Sequence, residues 1–96
     1  MSQARPASVR ASFVIQNRLG LHARAAALFV QTVAALDAEV FVTTDGETVN
    51  GKSIMGLMML AAGMGSSIEV EARGREAAEA MRAIQGLIRD KFREGD

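Results

Sequence analysis

The sequence predicts an α+β fold in which a four-stranded antiparallel sheet is covered on one face by three helices. Two patterns alternate along the 96 residues. Some segments place apolar side chains at every second position, as strands do, and others repeat them every three or four residues, as helices do. The order is β-α-β-β-α-β-α, and because each strand has one apolar face, the helices should all pack against that face.

The N-terminal region begins with residues 1–8, which hold the only proline. We expect them to form a flexible lead-in to a single domain spanning residues 9–96. The first strand then shows apolar side chains in alternation, at Ala11, Phe13 and Ile15. A loop over residues 16–21 follows it, and this loop should deliver His22 to the start of the first helix.

A helix and a β-hairpin come next. Helical spacing predicts a helix over residues 23–36 whose buried side contains Ala26, Phe29, Val30 and Val33. Residues 39–44 are rich in β-branched and aromatic side chains, and Asp45-Gly46 is a strong two-residue hairpin signal before residues 47–50. These two strands should therefore pair antiparallel.

The second half of the chain contains a short helix, a strand and a long helix. Ser53 is suited to cap the short helix, over residues 54–60. Apolar and charged side chains alternate strictly over residues 68–73, which predicts a strand with one solvent-exposed face. The long final helix has a buried stripe that comprises Ala77, Met81, Ile84, Leu87, Ile88 and Phe92.

The composition excludes several classes of protein. There is no cysteine, so disulfides and thiol chemistry are excluded, as is expected for a protein of the reducing cytoplasm. The N-terminus has no apolar signal region, and the longest apolar stretch, residues 54–62, is too short to cross a bilayer. Aromatic residues make up 4% of the chain, without Trp or Tyr, which argues against nucleic-acid binding. We expect a soluble, cytoplasmic monomer.

Charge is unevenly distributed although the net charge is zero. Residues 1–36 contain four arginines and no acidic residue. Arg18, Arg24 and Lys52 could together form a positive rim around His22, which would favour phosphate or an acidic partner. Ordinary solvated side chains explain the same residues equally well.

His22, the only histidine, is the main candidate for chemistry. Gly20 permits a sharp turn and an alanine-rich run follows, so His22 should lie at or beside a helix N-cap. The free N–H groups and partial positive charge there suit an anion, and Arg24 lies within one turn. With no cysteine or second histidine, a metal site is not expected. His22 could accept a group on a ring nitrogen and pass it on, or simply cap the helix.

Two segments resemble a known family. The segment Gly20-Leu21-His22-Ala23-Arg24 and, about thirty residues later, the segment Gly51-Lys52-Ser53-Ile54-Met55-Gly56 are similar to the histidine-containing phosphocarrier protein (HPr) family of the bacterial phosphotransferase system. The resemblance runs from about Val9 to about Arg93. It implies an open-faced β-sandwich of four strands and three helices, in agreement with the pattern.

The resemblance also implies a function. His22 would be phosphorylated on Nδ1 by enzyme I, which draws the phosphoryl group from phosphoenolpyruvate, and would pass the group to an enzyme IIA domain. Arg24 matches the arginine that stabilises the phosphate in this family. No cofactor or metal is implied. Ala25 departs from the family pattern, which has proline there, so the helix start should be looser and keep one more N–H group.

Ser53 matches the regulatory serine of the family, which HPr kinase/phosphorylase modifies in some bacteria. A phosphate at this helix start would add charge and repel acidic partners without unfolding the helix. Helix capping alone explains a serine at this position equally well.

Four of the six methionines lie within residues 55–64. A short helix cannot bury all of its apolar side chains on one stripe, so some must be exposed. By resemblance, they belong to a surface that docks enzyme I and IIA domains and suits several partners. Its predicted residues are Ala27, Lys52, Ile54, Met55 and Met58.

The second motif resembles the sugar-transport branch of the system, whereas Leu19-Gly20 and residues 68–72 resemble the nitrogen-related branch.

A rival from another class is a binding module that is never phosphorylated and uses the methionine-rich helix to regulate a partner. An enzyme with His22 as general base is a weaker rival, because no second catalytic group is visible near it in the sequence.

Overall fold

The computed structural model describes residues 8–94. Its elements follow the predicted order: β1 (Ser8–Val14), α1 (Ala23–Ala34), β2 (Glu39–Thr44), β3 (Glu47–Asn50), α2 (Ile54–Met59), β4 (Ser67–Arg73) and α3 (Ala77–Arg89), followed by a single turn, Lys91–Arg93. The predicted flexible lead-in lies outside the described residues except for Ser8. That residue already belongs to β1, one residue before the expected domain start.

The four strands form one antiparallel sheet with the order β1-β4-β2-β3. The central strand β4 pairs with β1, where Phe13 lies opposite Ile68, and with β2, where Val42 lies opposite Val70. The hairpin predicted at Asp45-Gly46 joins β2 to β3. The α+β open-faced sandwich is confirmed, because the three helices cover one face of the sheet.

The core lies between that face and the helices. Along β4 the side chains of Ile68, Val70 and Ala72 are buried, and they alternate with polar side chains on the open face. From the helical layer, Phe29 of α1 and Ile84 of α3 are fully buried against them. The strand alternation therefore sets which face receives the helices, as the sequence pattern predicts.

Three predicted helix ends differ from the structure. Helix α1 ends at Ala34, two residues before the predicted Leu36, and α2 ends at Met59, one residue early. The larger difference concerns Phe92, which was predicted on the buried stripe of the final helix. Helix α3 stops at Arg89, and Phe92 is buried from the following turn instead.

That C-terminal turn has an unusual backbone. Lys91, Phe92 and Arg93 have φ angles of 53°, 52° and 60°, in the left-handed region that non-glycine residues rarely adopt. Each such residue costs about 1 kcal/mol or more. Full burial of the Phe92 side chain offsets part of this cost and holds this turn against the domain.

The loop before α1 is fixed by close backbone packing. Gly20 has φ +67°, and a Cβ there would overlap the carbonyl oxygen of Ala62 and lie 2.7 Å from the Cα of Gly63. The N–H of Leu21 donates to that same Ala62 carbonyl at 2.9 Å. The residue before His22 is thereby held against the segment that follows α2.

No helix within residues 8–94 is long and apolar enough to cross a membrane.

Substituting Gly20 tests this packing. Gly20→Ala should lower the free energy of unfolding by about 2 kcal/mol or more, because the new Cβ meets backbone and the left-handed φ is strained. Gly86→Ala is the matched control, since a Cβ there meets no atom within 4 Å in α3. It should instead stabilise the domain by about 0.5–1 kcal/mol. Urea unfolding of both variants measures the sign of each change in the free energy of unfolding. Equal changes in the two variants would contradict this account of the loop.

Candidate functional site

His22 is the N-cap of α1, as the sequence predicts. Its backbone is extended, with φ −74° and ψ 179°, and its carbonyl accepts the first helical hydrogen bond from Ala26 N–H at 2.8 Å. Its Nδ1 accepts a hydrogen bond from the Arg24 N–H at 3.2 Å. The imidazole thus replaces the hydroxyl or carboxylate of an ordinary cap. Its side chain is 27% exposed, so one part of the ring remains open to solvent.

The other ring nitrogen faces a carboxylate that sequence reasoning missed. His22 Nε2 lies 2.7 Å from Oε2 of Glu94, whose side chain is 11% exposed. The same Oε2 accepts a hydrogen bond from Asn17 Nδ2 at 2.8 Å. Asn17 is fully buried and also donates to the Gly20 carbonyl at 2.8 Å. One buried amide therefore ties the glutamate to the loop that precedes the histidine.

These contacts favour the ionised carboxylate. The hydrogen bond from His22 holds the pKa of Glu94 below its ordinary value; partial burial opposes this, and the Asn17 bond adds to the lowering. Glu94 is 72 residues from His22 in sequence, and no spacing rule connects them. The only sequence signal was Phe92, an apolar residue at the end of the final pattern, which indicates that the chain stays on the domain beyond α3.

Arg24 also contacts the C-terminal turn. Its Nη1 donates to the Phe92 carbonyl at 2.9 Å and its Nη2 donates to the Arg93 carbonyl at 3.0 Å. Both acceptors are neutral backbone oxygens. The guanidinium therefore lies beside the histidine but is bonded to the end of the chain.

The predicted positive rim is only partly formed. Arg18 and Arg24, with Leu19 and Glu94, line a shallow cavity of about 380 Å³ next to the histidine. Lys52 does not join them, because its Nζ donates to the Leu36 carbonyl at 3.0 Å, beyond the C-terminal end of α1. His22 lies at the opposite end of that helix. The placement of Lys52 in the positive rim was wrong because motif spacing does not show which end of a helix a loop approaches.

Ser53 is the N-cap of α2. Its Oγ accepts a hydrogen bond from the Gly56 N–H at 3.0 Å, and its side chain is half-buried. The capping role predicted from the sequence is therefore confirmed. The hydroxyl already satisfies one of the free N–H groups at this helix end.

Helix α2 exposes an apolar surface that we call the methionine surface, formed by Ile54, Met55, Met58 and Met59. Met55 and Met59 are 70% and 75% exposed, and Ile54 and Met58 are also exposed. The expectation that a short helix must leave such side chains in solvent is confirmed.

The methionine surface reaches the histidine through Met58. Leu19, Leu21, His22 and Met58 line one depression of about 240 Å³. Ala27, which was predicted as a contact residue, is half-buried on α1. The structure thus brings one end of α2 beside the exposed part of the imidazole.

No group of three or more His, Cys, Asp or Glu side chains within residues 8–94 is arranged to hold a metal ion. The pair of His22 and Glu94 offers two ligands, fewer than the three or four protein ligands of a typical zinc site.

Comparison with known proteins identifies the family. A family model described as "PTS HPr component phosphorylation site" matches residues 9–90. The phosphocarrier protein HPr of Neisseria meningitidis serogroup A is 53% identical over 88 residues, which cover 92% of this chain and 99% of that protein. This chain belongs to the HPr family.

Solved HPr structures agree with this assignment. The structure of HPr-C-His from Thermoanaerobacter tengcongensis has a TM-score of 0.88 at 41% identity and covers 92% of this chain and 99% of that one. HPr from Bacillus anthracis has a TM-score of 0.81 at 44% identity, and the match covers 85% of this chain and 98% of that one. The resemblance found in the sequence is confirmed. As an HPr, the chain is a phosphocarrier of the phosphotransferase system rather than a catalytic enzyme.

The contact with Glu94 makes stability depend on pH. The pKa of Glu94 is lowered on folding, so its stabilising contribution is present above the unfolded pKa and is lost as pH falls through the folded pKa. The difference in free energy of unfolding between wild type and Glu94→Gln should therefore shrink between about pH 5 and about pH 3. Denaturant titrations across this range measure it.

The control for that titration is Glu47→Gln. Glu47 starts β3, and its side chain forms no hydrogen bond or ion pair with another described residue, so this variant reports only the loss of one carboxylate. A difference for Glu94→Gln that grows as pH falls would contradict the assigned contact.

Capping by Ser53 is also testable. Ser53→Ala should lower the free energy of unfolding by about 1 kcal/mol, whereas Ser53→Asp should keep most of the stability because its carboxylate also accepts from the helix N–H groups. Ser12→Ala, at an exposed β1 position without a side-chain hydrogen bond to another described residue, should change stability by less than about 0.5 kcal/mol. Thermal unfolding of the three variants distinguishes these outcomes. Equal loss in the alanine and aspartate variants at position 53 would argue against the cap.

Proposed function

We propose that His22 accepts a phosphoryl group on Nδ1 from enzyme I and donates it to enzyme IIA domains. The observation that carries this proposal is the place of Nδ1 at the N-cap of α1. Its hydrogen-bond donor, the Arg24 N–H, belongs to the free amides of a helix start, where partial positive charge stabilises an anion.

The transfer step needs only the imidazole and the donor. The lone pair of Nδ1 forms the new N–P bond while the bond between phosphorus and the donor atom breaks, and the electron pair of that bond returns to the donor. The Arg24 N–H, which loses Nδ1 as its acceptor, then lies next to the phosphoryl oxygens and can donate to one of them. Delivery to a IIA domain reverses the same bonds.

Arg24 supplies a stabilising group of moderate strength. To reach the phosphoryl group, its guanidinium must leave the carbonyls of Phe92 and Arg93. Hydrogen bonds to a dianionic phosphoryl group are stronger than those to neutral carbonyls, so the exchange is favourable but partly offset. Ala25 keeps an N–H group that a proline would lack, and this amide precedes the first helical hydrogen bond, which is made by Ala26.

The methionine surface is the proposed docking surface for enzyme I and IIA domains. It adjoins His22 at Met58, so a partner seated on it would bring its phosphorylated or acceptor group to the exposed imidazole. Flexible thioethers adapt to more than one partner. Ala27, half-buried on α1, and Lys52 are further proposed contact residues, and Lys52 would first have to release the Leu36 carbonyl.

Regulation at Ser53 by HPr kinase/phosphorylase is a second part of the proposal. Phosphorylation would replace a neutral cap with a charged group at the start of α2, one residue before the methionine surface. Acidic partner surfaces would then be repelled while the helix persists.

We further propose that the protein acts as a cytoplasmic monomer, since the transfer described requires no second copy.

The decisive experiment measures intact mass after incubation with enzyme I from the same cell, phosphoenolpyruvate and Mg²⁺. Wild type should gain a single acid-labile phosphoryl group, and folded His22→Ala should gain none. Arg24→Ala should still be phosphorylated, with a rate reduced about ten- to a hundredfold, because one charge-assisted contact to the phosphoryl group is lost.

Absence of phosphoryl uptake by folded wild type would overturn the carrier proposal. The methionine surface would then favour the alternative, a protein-binding module in which His22 only caps α1.

A further inference from the structure

We propose that Glu94 is a positioning residue for phosphoryl transfer, which keeps the imidazole proton on Nε2 and thereby presents the lone pair of Nδ1 to the phosphoryl donor. This inference rests on the proposed function of His22. It assigns a role to a side chain near the end of the chain that lies outside both sequence motifs and outside the matched residues 9–90.

The two ring nitrogens have neighbours that require the same tautomer. Nε2 faces a carboxylate oxygen at 2.7 Å, and an ionised carboxylate only accepts hydrogen bonds, so the proton must lie on Nε2. Nδ1 faces the backbone N–H of Arg24 at 3.2 Å, which can only donate, so Nδ1 must carry the lone pair. Both contacts therefore select the ring form in which Nδ1 is the nucleophile.

Glu94 is itself held in place, as a positioning group must be. Asn17 donates to its Oε2 at 2.8 Å, and the Leu19 backbone contributes to lowering the pKa of Glu94. Asn17 is fully buried and fixed to the Gly20 carbonyl. The carboxylate is thereby locked to the loop that also sets the position of the ring.

The backbone that delivers Glu94 is strained in a way that points to function. Three consecutive non-glycine residues, Lys91, Phe92 and Arg93, occupy the left-handed region immediately before it. Such strain persists only where the surrounding structure enforces it. Here burial of the Phe92 side chain and two hydrogen bonds from Arg24 do so, and the result is a carboxylate directed at Nε2.

The arrangement remains useful during transfer. When Nδ1 forms its bond to phosphorus, positive charge develops on the ring, and it is shared with an Nε2–H that already donates to Glu94. Arg24 releases its two carbonyls to approach the phosphoryl group. When Arg24 leaves, two of the restraints on the carboxylate remain: the hydrogen bond from Asn17 and the burial of the Phe92 side chain.

The test compares wild type with Glu94→Gln and Glu94→Ala as full chains, with Glu47→Gln as the control. Long-range proton–nitrogen NMR at about pH 8, where an unperturbed imidazole is neutral, reads the tautomer directly. Wild type and control should show a protonated Nε2 and a lone pair on Nδ1. In Glu94→Ala the chemical shifts of the two ring nitrogens should move towards each other, because the two tautomers mix. Glu94→Gln keeps a neutral hydrogen-bond acceptor, so its nitrogen shifts should lie between those of wild type and Glu94→Ala.

The second readout is the initial rate of phosphorylation. Enzyme I with phosphoenolpyruvate measures the complete reaction, and phosphoramidate, a small donor with its own P–N bond, removes the contribution of docking. With both donors the rate should fall by about ten- to a hundredfold in Glu94→Ala and less in Glu94→Gln, while Glu47→Gln remains at the wild-type rate.

The outcomes separate this inference from the proposed function. If wild type is not phosphorylated by enzyme I, the carrier proposal fails. If wild type is phosphorylated and the folded Glu94 variants keep the wild-type tautomer or the wild-type rate, the positioning role is overturned. A loss of rate without a change of tautomer also overturns it, because that pattern indicates a general structural effect. Glu94→Gln keeps the test valid should Glu94→Ala fail to fold.

Discussion

The structure depends on one constraint: only one face of the four-stranded sheet is apolar. All three helices must therefore pack on the same side, and the loops that enter and leave them meet at the ends of that layer. The loop that holds Gly20 is fixed against the segment after α2 by the Leu21 to Ala62 hydrogen bond. The chain end returns to the same place because Phe92 is buried. Packing of the core, rather than any local motif, brings the site together.

Much of this arrangement could be predicted from local patterns. The hairpin at Asp45-Gly46, the cap by Ser53 and the position of His22 at the start of α1 each follow from residues within a few positions of one another. Strict alternation along β4 predicted which side chains are buried, because a strand has a period of two. Local rules were sufficient wherever the partner of a residue is its sequence neighbour.

The contacts of the candidate site were beyond such rules. Glu94 and His22 are 72 residues apart, and Glu94 reaches the ring only because three residues adopt a left-handed backbone that no propensity favours. The error for Lys52 has a related cause, since its partner, the Leu36 carbonyl, is selected by how α1 and the loop before α2 pack together. In the C-terminal turn, local preference is overridden by packing, so sequence patterns are least informative there.

The proposed carrier role requires that the phosphoryl group be held well enough to form the phosphohistidine and weakly enough to be released, and the contacts of the candidate site are consistent with both requirements. A backbone amide of the helix start lies at Nδ1, whereas the Arg24 guanidinium donates to neutral acceptors in the C-terminal turn. In the proposed mechanism, the stabilisation that Arg24 would give the phosphoryl group is reduced by the loss of these two hydrogen bonds. Because Asn17 also donates to Glu94, the proposed positioning of the ring does not rest on Arg24 alone. In the proposed mechanism, orientation and charge stabilisation are thus assigned to different side chains, so the affinity for the phosphoryl group can be moderate without loss of geometry.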